Sequence, residues 1–207
     1  MRDPDCFLCN PDPKLLVENH GPVFSMVGLG PITNTYAMIV ARGHSKSFAD
    51  FVLENPEAEL SINSLRARLE LMRGTLLLTE HGRVPVCRDN GDQHDTHCFH
   101  AHALLFGTSY AMIDDVRSFY TNESSFGTLG AALEFARYAS NYLLISGRPG
   151  IYSVLTEQLN APRQLTRTLV ALKCGTPYLA DWRRHPQQGE AEAMADSLRA
   201  GLESHHD

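Results

Sequence analysis

"HCFHAHALLF", His97 to Phe106, is the stretch on which the reading of this chain turns. Three histidines fall within six residues, and the segment then becomes wholly apolar. Read as a strand, it alternates faces. Cys98, His100, His102 and Leu104 share one side, while Phe99, Ala101, Ala103 and Leu105 share the other. The small Ala101 and Ala103 allow close packing behind the sheet. The imidazoles then stand on the functional face, and His97 points elsewhere or belongs to the preceding loop. Packed core histidines are the alternative, but each buried imidazole needs partners for two nitrogens, and two on one face double that demand.

Outward from this strand, "GPVFSMVGLGPITNTYAMIVARGHSKSF" predicts two strands, near Val23–Val27 and Tyr36–Ala41, separated by glycine and proline. From Pro56 to about Glu80, apolar residues at Ala58, Ile62, Leu65, Leu69, Met72 and Leu76 form one stripe in steps of four and three, which predicts a long helix. Asn55 before Pro56 suits its start, and Gly82 lies past its end. "RVPVCRD" follows as a short strand and "DNGDQHDT" as a polar loop. Strand, helix and strand in that order predict an α+β fold: an antiparallel or mixed sheet carrying one long helix. Further on, Leu129–Ala139, Pro162–Lys173 and Glu190–Leu202 read as helices, and "NYLLIS" and "GIYSVL" as a hairpin around "GRPG". The polar "YTNESS" marks a boundary, giving a core over residues 1–110 and a mixed α/β extension over residues 111–207.

The 207 residues are 43% hydrophobic, enough for a real core, and carry a formal net charge of −6. An acidic chain lacks the basic face that general nucleic-acid binding requires, though a nucleotide in a pocket needs only a few local donors. The sequence holds no apolar run long enough to span a bilayer, and "MRDPDCFLCNPDP" is acidic and Pro-rich, unlike a signal peptide. A cytoplasmic protein without membrane or nucleic-acid partners is expected. The five cysteines are an odd number, which speaks against a disulfide framework.

"CFLC", Cys6 to Cys9, spaces two thiols so that one tight turn can aim both at a single ion. The same spacing suits a redox pair, and the spacing leaves both open. No second CxxC exists, so a zinc site would be completed from distant positions, most naturally by histidines. His44, in "ARGHSKSF" just after a strand, and His100 are candidates; His44 alone reads equally well as a loop histidine.

Taken together, "DCFLC", "YAMIVARGHSKSFADF", "VPVCRDNG" and "FHAHALLF" resemble, in order, the histidine-triad (HIT) superfamily, and especially its galactose-1-phosphate uridylyltransferase branch. The resemblance covers about residues 5–107. It implies a HIT-like core with a structural zinc ion on Cys6, Cys9, His44 and His100. It also implies that His102 is the nucleophile, attacking a nucleotide α-phosphate to form a nucleotidyl-histidine. Asn90, or its neighbour Asp89, matches the phosphate-contacting asparagine, and His97 and Thr96 stand where further substrate donors belong. The expected activity is transfer of a nucleoside monophosphate to phosphate, sugar phosphate or water. The substrate is a small nucleotide or nucleotide sugar, and a homodimer is possible as in relatives.

The departures are specific. Leu104 occupies the third signature position, where the hydrolases carry His and the uridylyltransferases Gln, and a leucine offers no hydrogen bond. This opens an alternative, a nucleotide-binding protein that has lost turnover. Gly107 replaces a proline that often follows the signature, and the usual Ser or Gln before the first His is missing, with Thr96, His97 or Cys98 in its neighbourhood. A second register would make His100 the nucleophile and Cys98 a zinc ligand. The first register is preferred because "HAHALLF" then ends on the apolar run and His44 with His100 completes the zinc set. In the extension, Gln164 and Arg167 lie three apart on one helical face, within reach of a substrate phosphate or simply solvated. Trp182, the only tryptophan, reads as a packing anchor or a base-stacking surface.

Overall fold

The computed structural model describes residues 3–4, 6–84, 99–159, 161–162 and 164–204. Among them, eight strands form one antiparallel sheet in the order β1-β2-β3-β5-β4-β7-β8-β6. The strands are β1 (Leu16–His20), β2 (Val23–Met26), β3 (Tyr36–Ala41), β4 (Leu77–Gly82), β5 (His102–Phe106), β6 (Tyr120–Phe126), β7 (Tyr142–Arg148) and β8 (Ile151–Gln158). Six α-helices accompany them: α1 (Phe48–Glu54), α2 (Ala58–Arg73), α3 (Ile113–Val116), α4 (Leu129–Ala136), α5 (Leu165–Lys173) and α6 (Gln188–Ser204). The α+β class expected from the sequence is what the chain adopts. The sheet runs unbroken past residue 110, because β7 pairs with β4. No helix among the described residues is long and apolar enough to cross a membrane.

The long helix stops earlier than its apolar stripe suggests. Gly74 follows Arg73 with φ 80°, a left-handed conformation that suits glycine, and the chain leaves the helix there. "LLTEHG" then forms β4 at the centre of the sheet. The stripe ran on to Leu76 because a buried strand is also apolar. Asn55 ends α1 instead of starting α2: its amide bonds the Phe51 carbonyl. α1 begins at Ser47, whose hydroxyl accepts from the Asp50 amide at 3.2 Å.

β2 and β3 fall on the two segments that glycine and proline punctuate, and β7 and β8 form the expected hairpin. "YTNESS", the polar stretch near which the boundary was placed, forms most of β6, an edge strand bonded to β8 alone. An edge strand can be polar because much of it faces water. "RVPVCRD" and the loop after it lie largely outside the described residues; Arg83 and Val84 are not in a strand.

α1, α2 and α4 pack on one another, α2 against β2 and α4 against β8, while α6 lies on β1 and α2. α6 buries Ala191, Ala195, Leu198 and Leu202, a stripe at helical spacing. Arg66 fastens α2 to the sheet from inside. Its guanidinium donates to the Ser146 hydroxyl at 2.8 Å and the Leu76 carbonyl at 2.9 Å. On the sheet, Ile39 and Ala103 face each other across β3 and β5, shut off from solvent, and Leu105 shares their side. Met38 and Leu104, their neighbours in sequence, face the other way.

Candidate functional site

The N-terminal turn brings the two cysteines together. The Cys9 amide donates to the Cys6 carbonyl at 3.0 Å and the Asn10 amide to the same oxygen at 3.2 Å. This is the tight turn that CxxC requires, and it leaves both side chains buried. The opposite half of the site comes from two segments held to each other. The Ala101 amide donates to the Ser45 carbonyl at 2.7 Å, and the Ala41 amide to the Ala101 carbonyl at 3.0 Å. The turn after β3 is thus laid beside the entry to β5, and the His44 and His100 rings meet edge to face at 5.4 Å.

Cys6, Cys9, His44 and His100 present four donor atoms within 4.8 Å of one another. His100 Nδ1 is 3.4 Å from Cys6 Sγ and 3.5 Å from Cys9 Sγ, and His44 Nδ1 is 3.3 Å from Cys9 Sγ. A tetrahedral ion with metal–sulfur bonds of about 2.3 Å and metal–nitrogen bonds of about 2.1 Å sets sulfur and nitrogen about 3.6 Å apart. The spacing suits such an ion. The far side of the His100 ring is bound as well: Nε2–H donates to the Ala41 carbonyl at 2.7 Å, leaving the Nδ1 lone pair for the cluster. Burial, with the neighbouring Cys6 sulfur adding to it, pushes the Cys9 thiol up. A cation among these donors is what favours the thiolate. The group is one that can bind a metal ion.

His102, the first residue of β5, uses the opposite nitrogen. Its Nδ1–H donates to the carbonyl of His100 at 2.7 Å, which leaves Nε2 with a lone pair. Burial lowers the basicity of this ring, and the bond to the His100 carbonyl opposes that effect. The ring lines a cavity of about 490 Å³. Met26, Met38, Leu104 and His81 contribute the sheet side of the cavity. Phe7 and the segment Asn10–Asp12 form one wall, and Gln164, Thr166 and Trp182 another. Substrate-sized pockets commonly fall in this range and are mostly apolar with a few polar groups.

The residues from the extension divide by role. Arg167 borders the cavity, but it is buried and its guanidinium is committed to the fold. It donates to Tyr36 Oη at 2.7 Å and to the carbonyls of Gly30 at 2.8 Å and Leu179 at 2.7 Å. Gln164 precedes α5 with φ 51°. With its amide oriented to satisfy both ends, it donates to the Ala180 carbonyl at 2.6 Å and accepts from the Trp182 indole N–H at 3.3 Å. Trp182 lies 6.0 Å from the Phe7 ring, so the segment after α5 meets the N-terminal turn there.

Asp89, Asn90, Thr96, His97 and Cys98 lie outside the described residues. Pattern reading passed over His81 on β4, which lines the cavity, as do Asn10, Asp12, Thr166 and Gln188. The apolar stripe had drawn "LLLTE" into the preceding helix, leaving His81 in the turn after it, and Gly74 was the signal that separated them. No model of a known protein family matches the chain, and no curated protein matches it either.

Proposed function

We propose that this protein transfers a nucleoside monophosphate through His102, by the chemistry of the histidine-triad enzymes its sequence resembles. The observation that carries the reading is the Nδ1–H bond from His102 to the His100 carbonyl at 2.7 Å, in a ring that borders a substrate-sized cavity. That bond fixes the tautomer whose Nε2 is the nucleophile. In the first step Nε2 attacks the α-phosphorus, the bond to the leaving oxygen breaks, and the electron pair departs with that oxygen. In the second step an acceptor oxygen attacks phosphorus, the P–Nε2 bond breaks, and its pair returns to the ring. Splitting the displacement in this way replaces one difficult step by two easier ones.

Zinc is the ion that best suits two thiolates and two imidazoles in this arrangement, held by Cys6, Cys9, His44 and His100. With four protein ligands it would be structural, tying the N-terminal turn to the strand that carries His102. Asn90, backbone N–H groups and His97 are the proposed donors to the phosphate, with Thr96 beside them.

A second reading has its own observation. Leu104 borders the cavity, and it stands at the signature position where histidine-triad enzymes carry a polar group, which would suit a protein that binds nucleotide without turning it over. Intact-protein mass spectrometry after incubation with UDP-glucose, ADP or ATP separates the two. A nucleoside-monophosphate adduct on the wild type and none on His102→Ala supports transfer. Nucleotide binding by calorimetry with neither adduct nor product supports the binding protein. Neither adduct nor binding removes the nucleotide altogether.

A further inference from the structure

β4 lies beside β5 in a defined register: Leu77 opposes Phe106, Leu78 opposes Leu105 and Thr79 opposes Leu104. The same register, continued two residues beyond Thr79 and Leu104, leads to His81 on β4 and His102 on β5, and His102 acts electrostatically on the His81 ring. Side chains repeat every second residue, so Thr79, His81, His102 and Leu104 belong to one face. Both imidazoles border the same cavity.

The hydrogen bonds found for His81 all use one nitrogen. Nε2 is 3.0 Å from Gln158 Oε1 and 3.0 Å from Tyr120 Oη. An amide oxygen only accepts, so Nε2 carries the proton and the lone pair is on Nδ1. Burial holds this imidazole at about 4, so it is uncharged and able to accept a hydrogen bond at neutral pH. β4 thus supplies, across from the nucleophile, a polar group of the kind that Leu104 cannot provide.

We propose that His81 is a catalytic residue on the acceptor side of the site, holding the hydroxyl of water or of a phosphate beside the nucleotidyl-His102 through its Nδ1. This rests on the reading of His102 as the nucleophile. As the acceptor oxygen bonds to phosphorus, the P–Nε2 bond of His102 breaks and its electron pair returns to that ring. The acceptor's proton passes to His81 Nδ1 and from there to solvent. His81 acts in release of the nucleotide and is not needed for its capture.

The test is the lifetime of the adduct. Wild type, His81→Gln and His81→Asn are mixed with UDP-glucose, ADP or ATP, then quenched in alkali at timed intervals for intact mass measurement. Circular dichroism and metal content check that each variant is folded. The expected result is an adduct formed at the wild-type rate and released on the order of 100-fold more slowly in both variants, so that it accumulates. A histidine that only fills space would not divide the two steps in this way. Unchanged formation and release in a folded variant would overturn the proposal. So would variants that never form the adduct while wild type does, since His81 would then act in capture. Absence of adduct and turnover in wild type with every nucleotide would remove the His102 reading, and this inference with it.

Discussion

His100 and His102 each commit one ring nitrogen to a backbone carbonyl, but opposite nitrogens. His100 bonds the Ala41 carbonyl through Nε2, and His102 bonds the carbonyl of His100 itself through Nδ1. The first arrangement frees Nδ1 for the cysteine cluster, and the second frees Nε2. Two residues on one short segment are thus set to two tasks by which nitrogen the backbone takes. The bond between them also couples the tasks, since whatever holds His100 in place holds the carbonyl that orients His102.

Replacing His102 by alanine removes the proposed nucleophile and nothing that the fold relies on. Turnover of the nucleotide substrate should fall on the order of 10⁴-fold or more. Metal content and melting temperature should stay near wild type, because the bond lost is the ring's own to His100. Product formation by chromatography alongside a thermal melt checks both halves. Residual turnover within a factor of ten would mean that another group does the chemistry.

Cys9→Ser should act in the reverse order. Cys9 lies 3.3 Å from His44 Nδ1 and 3.5 Å from His100 Nδ1, so its loss opens two edges of the cluster. Bound metal, one ion per chain in wild type, should be largely lost. Stability should fall by about 3 kcal/mol, or about 10 °C in Tm for a chain of this size. Elemental analysis of the purified proteins and calorimetric melts provide the comparison, and a chelator should bring wild type toward the variant. A metal-free wild type that melts unchanged with chelator would point to the redox reading of CxxC.

The end of α2 shows where pattern reading stops. Ile62, Leu65 and Leu69 were legible as a helical face, and all three are buried. Leu76 belonged to the same stripe by spacing but sits beyond Gly74, where a positive φ breaks the period. His81 was lost with that misreading. β6 hid for the opposite reason, since its polar, exposed face carries no apolar alternation. The cluster at Cys6, Cys9, His44 and His100 was legible because thiol spacing and a strand's alternation are local, and the resemblance joined them across the chain. That Arg167 is tied to Tyr36 and three backbone carbonyls could not be read from its own helix, because those partners come from β3, the loop before it and the segment after α5.

Glu80 gives a pH dependence with a definite sign. It is buried beside the start of α1, accepting from the Phe48 amide at 2.6 Å and from the Tyr142 hydroxyl at 2.8 Å. Burial outweighs these bonds and raises its carboxyl from 4.5 to about 7. Between those values the folded chain holds a proton that the unfolded chain has released, so stability falls as pH rises through the window. The loss from this group amounts to about 3 kcal/mol and is complete above the folded value. Glu80→Gln stays neutral at every pH and should lack this slope. Urea midpoints at pH 5 and pH 8 should shift relative to each other in favour of the variant as pH rises. Parallel profiles would mean that Glu80 ionises normally in the fold.

Arg167 distinguishes a fold-bearing cation from a substrate-binding one. Its five N–H groups form a rigid planar fork, and the structure uses that fork to bridge Tyr36, Gly30, Leu179 and Ala180, joining α5 to β3 and to the loop before it. Lysine keeps the charge but cannot span those partners, so several buried oxygens would lose their donors. Arg167→Lys should therefore cost about 3 kcal/mol in stability, or about 10 °C in Tm. Nucleotide affinity, measured by calorimetry at a temperature where the variant is folded, should change by less than about threefold. A large loss of affinity without loss of stability would reverse the assignment and place Arg167 on the substrate phosphate.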